Sequence, residues 1–166
     1  IKMRYGQIRS YDVANGVGIR TSIFVTGCTH NCKDCFNKKY MDFNFGELWT
    51  KETTNLVIDY LRDKNVSGLT LLGGEPMQNA KELLEIVRDI KKSVNKNIWI
   101  YSGYTFEEIL EDDDRFELLK ECDVLVDGRF DYRLKDLTLK FRGSSNQRII
   151  DIKKTIESGN IVLFME

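Results

Sequence analysis

Four short apolar runs, each closing on a glycine, limit what this chain can fold into: RTSIFVTG (Arg20 to Gly27), GLTLLGG (Gly68 to Gly74), NIWIYSG (Asn97 to Gly103) and DVLVDG (Asp123 to Gly128). Runs of this length that end in turn residues are read as buried strands. The stretch TKETTNLVIDYLRDKN carries Leu56, Ile58, Tyr60 and Leu61 at helix-like spacing behind Thr50 as a cap, and NAKELLEIVRDIKKSV repeats the pattern with Leu83, Leu84, Ile86, Val87 and Ile90. TFEEILEDDDRFELLKE reads as two shorter helices broken at its acid run, itself a solvated face. Strand then helix, repeating at about 30 residues, is the mark of parallel βαβ units. The expectation is therefore an α/β fold, a partial (incomplete) TIM-like βα barrel with a mainly parallel, curved sheet. Function is expected at the carboxyl ends of the strands, where GCTHNC, GGEP, YSGY and VDGRF all fall.

A chain of 166 residues has the size of one domain, and the single proline, Pro76, marks no boundary, so residues 1–166 are expected to form a single domain. No apolar run is long enough to cross a bilayer. With 25 basic against 26 acidic residues, a net charge of −1, no global field draws the chain to nucleic acid or anionic lipid. The N-terminus lacks a basic-then-apolar-then-small pattern, so a cytoplasmic, reducing setting is expected, in which cysteines serve metals or catalysis rather than disulfides.

The loop VTGCTHNCKDCFN places Cys28, Cys32 and Cys35 close together in a chain with four cysteines. Three thiolates at CxxxCxxC spacing suit a metal, because chelation offsets the repulsion between deprotonated sulfurs. Structural zinc is one reading, with His30 completing a Cys3His set. A 4Fe-4S cluster is another, and it normally takes four ligands. Three protein ligands then leave one iron open for a substrate. Cys122, the remaining cysteine, opens a strand and reads as a small buried residue rather than a fourth ligand. In GGEP, Gly73 and Gly74 either turn the chain or let backbone approach a ligand, and Glu75 is either solvated or an acceptor. Ser102 and Asp127 sit at successive strand ends, where turn or cap roles compete with ligand contact.

CxxxCxxC after a first strand and LLGGEP after a second resemble the radical S-adenosylmethionine superfamily. VANGVGIRTSIFVTGCTHNCKDCFN, IWIYSGYTFEEI, DVLVDGRF and LKFRGSSNQRIID further resemble one branch of it, the activating proteins of anaerobic (class III) ribonucleotide reductases, across Val13 to Asp151. The resemblance implies a 4Fe-4S cluster on Cys28, Cys32 and Cys35 with one open iron that binds S-adenosylmethionine. It implies reductive cleavage to a 5'-deoxyadenosyl radical, which takes hydrogen from a glycine Cα in the glycyl-radical loop of the reductase catalytic subunit. Flavodoxin or a similar reductant supplies the electron. S-adenosylmethionine is expected to meet Gly73, Gly74, Glu75, Ser102 and Asp127, with main-chain groups of Asp34, Cys35 and Phe36 at the adenine. Asp34 stands where the superfamily often has an aromatic residue, and Phe36 follows the third cysteine instead. Arg142 to Gln147 are candidates for shaping the protein-substrate site. Three alternatives stand beside this reading: a pyruvate formate-lyase type activating enzyme, a zinc-stabilised interaction module, and an electron-transfer protein closed by Cys122.

Overall fold

A computed structural model describes residues 2–30, 32 and 38–166. Its strands are β1 (Arg4–Asp12), β2 (Arg20–Val25), β3 (Glu47–Leu48), β4 (Gly68–Gly73), β5 (Asn97–Tyr101), β6 (Val124–Asp127), β7 (Arg148–Asp151) and β8 (Leu163–Met165). Its helices are α1 (Lys51–Leu61), α2 (Ala80–Ser93), α3 (Phe106–Ile109), α4 (Asp113–Lys120) and α5 (Ile152–Ser158). All eight strands join one sheet in the order β3-β1-β2-β4-β5-β6-β7-β8. The four glycine-ended runs are its centre, β2, β4, β5 and β6, and they pair in parallel. Antiparallel strands extend it on both sides: β1 and β3 beyond β2, β7 and β8 beyond β6. The sheet is open, with β3 and β8 at its margins, so the barrel does not close.

Alternation along the strands divides the sheet into two faces. Ile23, Val25, Leu69, Leu71, Ile98, Ile100 and Leu125 enter the main core with Val57 and Leu61 of α1, Leu83, Ile86, Val87 and Ile90 of α2, and Leu118 and Leu119 of α4. Crossovers between parallel strands are right-handed, which carries successive helices to the same side. Thr50 caps α1 in a reciprocal capping box with Thr53, as the sequence anticipates. The buried stripe of α1 differs from the expected one. Val57, Ile58 and Leu61 are buried, whereas Leu56 is 42% exposed and Tyr60 only partly covered. Helix α1 therefore rests on the 54-57-58-61 face, with Leu56 about 100° round from Val57.

The other face carries Ser22 and Phe24, Thr70 and Leu72, Trp99 and Tyr101, and Val124 and Val126. Instead of helices it holds a buried polar network. Arg20, 1% exposed, donates to Thr70 Oγ1 at 2.7 Å, Leu69 O at 2.9 Å and Asn97 Oδ1 at 2.7 Å. Burial pulls its guanidinium down to about 10, against the fields of Tyr101, Asp123 and Asp12. Asp12 accepts from Ser22 Oγ at 2.6 Å and Asn15 Nδ2 at 2.8 Å, tying the loop after β1 to β2. Among the described residues, no helix is long and apolar enough to cross a membrane.

Candidate functional site

All four parallel strands end in left-handed or tightly packed glycines. Gly27 has φ +98° and Gly73 φ +107°. A Cβ on Gly73 would lie 2.4 Å from Val25 O, and one on Gly74 2.7 Å from Gly27 O and 2.5 Å from Tyr40 O. Both glycines are thus demanded by neighbouring backbone, independently of any ligand. The same close approach allows Glu75 N to donate to Gly27 O at 2.7 Å. Across the neck of the cysteine loop, Gly27 N donates to Tyr40 O at 2.6 Å and Cys28 N to Met41 O at 2.9 Å.

At these strand ends lies a cavity of about 510 Å³ whose wall includes Cys28, Cys32, Gly73, Gly74, Glu75 and Ser102. Tyr101, Phe141, Arg142 and Gln147 also line it. The Tyr101 hydroxyl is buried and has no hydrogen-bond partner among the described residues, and burial pushes its ionisation well above the usual phenol range.

Glu75 is 1% exposed, and four donors converge on its carboxylate. Oε1 accepts from Gly103 N at 2.7 Å and pairs with His30 Nε2 at 2.7 Å, while Oε2 accepts from Met77 N at 2.9 Å and Ser102 Oγ at 2.8 Å. Ser102 in turn accepts from Tyr104 N at 3.0 Å. Gln78 clamps the cysteine loop from below: its Oε1 accepts from Thr29 N at 3.0 Å and its Nε2 donates to Thr29 Oγ1 at 2.8 Å.

A family described as a 4Fe-4S single cluster domain matches residues 14–150. The anaerobic ribonucleoside-triphosphate reductase-activating protein of Vibrio cholerae is 40% identical over 152 residues, 89% of this chain and 97% of that protein. The proteins of the same name from Haemophilus influenzae and Enterobacteria phage T4 are 40% and 38% identical, covering 89% of this chain and 97% and 93% of their own lengths. The chain belongs to the family of anaerobic ribonucleoside-triphosphate reductase-activating proteins. With it comes a single 4Fe-4S cluster domain that contains all three loop cysteines.

In this family member, Cys28 and Cys32 share the cavity wall with Gly73, Gly74, Glu75 and Ser102. Asp34, Cys35 and Phe36 lie outside the described residues. Asp127 does not line the cavity, although Val126 and Gly128 do. Its carboxylate is 1% exposed and occupied: Oδ2 accepts from Phe106 N at 2.8 Å, capping α3, and from the Arg148 guanidinium at 2.6 Å. Arg142 and Gln147 reach the cavity through a self-bonded loop in which Gln147 Oε1 accepts from Gly143 N at 2.8 Å and Gln147 Nε2 donates to Gly128 O at 3.0 Å.

His30, which completes the zinc set in one reading of the sequence, here faces Glu75. Its side chain is 5% exposed, and Arg129 Nε donates to Nδ1 at 3.2 Å while Nε2 faces Glu75, so both ring nitrogens are engaged. Cys122 is fully buried, with its thiol donating to Leu118 O at 3.4 Å and pushed up by burial. It precedes β6, at the opposite end of the parallel strands from Cys28 and three strands away from β2. Sequence reasoning missed Gln78, Tyr101, Tyr104 and Arg129. Tyr101 and Tyr104, inside YSGY, and Arg129, inside VDGRF, sat in stretches already marked for function, whereas Gln78 did not.

Proposed function

We propose that the chain activates an anaerobic ribonucleotide reductase, using a 4Fe-4S cluster on Cys28, Cys32 and Cys35 to cleave S-adenosylmethionine reductively. The bound cluster and nucleoside would supply the chemistry that removes hydrogen from a glycine Cα of the reductase catalytic subunit, leaving a glycyl radical. The observation that carries this reading is one cavity wall holding Cys28 and Cys32 beside the Gly73, Gly74, Glu75 turn and Ser102. At about 510 Å³ the cavity has the size of a small-molecule site, which runs roughly 300–1,000 Å³.

The residues present fit the group. Cys28 and Cys32 are partly exposed toward the cavity, suited to thiolate ligation, unlike the sealed Cys122. Glu75 offers a pre-oriented carboxylate to an ammonium group, and a charge-assisted bond there would fix the nucleoside's amino-acid end. Ser102 holds that carboxylate from behind. The unpartnered Tyr101 hydroxyl gives the wall a polar group for a ligand. The open sheet stands in for the partial barrel, the cavity at its strand ends receiving the nucleoside and, from outside, the glycine loop. Glycine suits that loop because it has no side chain to keep its Cα from the reacting atom. Flavodoxin or a similar cytoplasmic reductant is the proposed electron source.

Anaerobic reconstitution with iron and sulfide, followed by assay of 5'-deoxyadenosine with and without the reductase, tests this function. Nucleoside release and a glycyl doublet in electron paramagnetic resonance are expected with the reductase. Zinc without acid-labile sulfide, or a doublet only with pyruvate formate-lyase, would overturn it.

A further inference from the structure

We propose that His30 is a placeholder for the ligand's ammonium: its imidazole holds the Glu75 carboxylate until an amino-bearing nucleoside takes that position, so that filling the cavity is transmitted to the cysteine loop. This rests on the function proposed above. His30 is the single histidine of the chain and lies between Cys28 and Cys32, two residues from each. The Arg129 donor on Nδ1 leaves the ring proton on Nε2, where it donates to Glu75 Oε1 at 2.7 Å. The seat is shaped for the ring. A Cβ on Gly103 would lie 2.6 Å from His30 Cδ2, and Tyr104 meets the imidazole edge-on at 4.5 Å between centroids.

Glu75 is otherwise held by Met77 N in its own turn and by Ser102 and Gly103 at the end of β5. Among the described residues, His30 is the one donor to Glu75 that belongs to the loop carrying the thiols. An ammonium arriving at Oε1 replaces an imidazole N–H with a full positive charge, a stronger partner for a carboxylate in a water-poor site. His30 then leaves Glu75, and the chain on either side of it, Cys28 and Cys32, responds. The apparent affinity for an amino-bearing ligand is lowered by the fraction of molecules in which His30 occupies Glu75.

Binding to the anaerobically reconstituted protein, measured by equilibrium dialysis, tests this with two probes. S-adenosylhomocysteine carries the ammonium, and 5'-methylthioadenosine does not. His30→Ala is expected to tighten S-adenosylhomocysteine about tenfold and leave 5'-methylthioadenosine unchanged. His30→Gln, whose amide keeps a donor for Glu75, is expected to stay within about threefold of the parent. In the parent labelled with 15N-histidine, the lone Nε2 resonance should move with S-adenosylhomocysteine and stay with 5'-methylthioadenosine. Equal effects of His30→Ala on both probes, weaker S-adenosylhomocysteine binding, or an Nε2 resonance unmoved by it would overturn the placeholder role. The resonance on the parent decides alone if His30→Ala fails to assemble a cluster. Failure of both probes to bind the parent would instead overturn the proposed function.

Discussion

Glu75 shows how one side chain can line a cavity and tie a fold together at once. In the sequence GGEP leaves it either solvated or an acceptor; the fold buries it beneath four donors from residues up to 45 positions away. A glutamine there must turn its NH2 toward either Gly103 N–H and His30, or Met77 N–H and Ser102. Ser102 can turn to accept beside its bond from Tyr104 N, but the Met77 and Gly103 N–H groups can only donate. Glu75→Gln is therefore expected to cost about 1–3 kcal/mol of stability as well as cofactor affinity. Urea denaturation of the parent and variant checks this, and an unchanged midpoint would mean that the converging donors are not under strain of numbers. Gly73 and Gly74 were legible as special residues, yet the reason came only from the fold: the backbone of Val25, Gly27 and Tyr40 fills the space a side chain would need.

Secondary-structure elements were legible in proportion to their burial. Strands β2, β4, β5 and β6 are covered on both faces, so they read as unbroken apolar runs. Strand β1, RYGQIRSYD, is half-buried to exposed for most of its length and reads as polar chain, and β7 and β8 are only four and three residues long. These strands gain their conformation from pairing rather than from composition. Helix α1 was legible from its cap, because Thr50 N donates to Thr53 Oγ1 at 3.2 Å within one turn of chain. Thr50→Ala is expected to destabilise by about 1 kcal/mol, read from thermal or urea unfolding. The face of α1 needs the tertiary partner. Val57→Ala should cost about 1–2.5 kcal/mol, whereas Leu56→Gln should stay within about 0.5 kcal/mol. Equal losses in the two variants would contradict the stripe described above.

The open sheet separates two environments, an apolar side under the helices and a polar side bearing Arg20, Asp12 and the cavity. Asp12, Glu107 and Glu121 titrate below the ordinary carboxylate range. Burial opposes ionisation of Asp12, but hydrogen bonds from Asn15, Ser22 and Ala14 N–H outweigh it. Glu107 is held down chiefly by its bond from Arg148, and Glu121 by its bond from Lys91. A depressed folded value means the unfolded chain binds protons first, so this stability is present above about pH 4 and lost as pH falls through the folded values. The urea midpoint should stay level from neutrality to about pH 5 and fall below it, with Asp12→Asn flattening part of the fall. A midpoint independent of pH down to 3 would count against these pairs. By itself, the sequence determined what is encoded within a few residues: the strand and helix periods, the Thr50 cap, the thiol spacing and the turn glycines. Only the tertiary structure decided that the sheet stays open, that Asp127 ties α3 to Arg148, and that His30 meets Glu75. Those outcomes depend on which strand ends are set side by side, and hydrogen bonds between residues 21 to 45 positions apart form only after strand order and register bring them together.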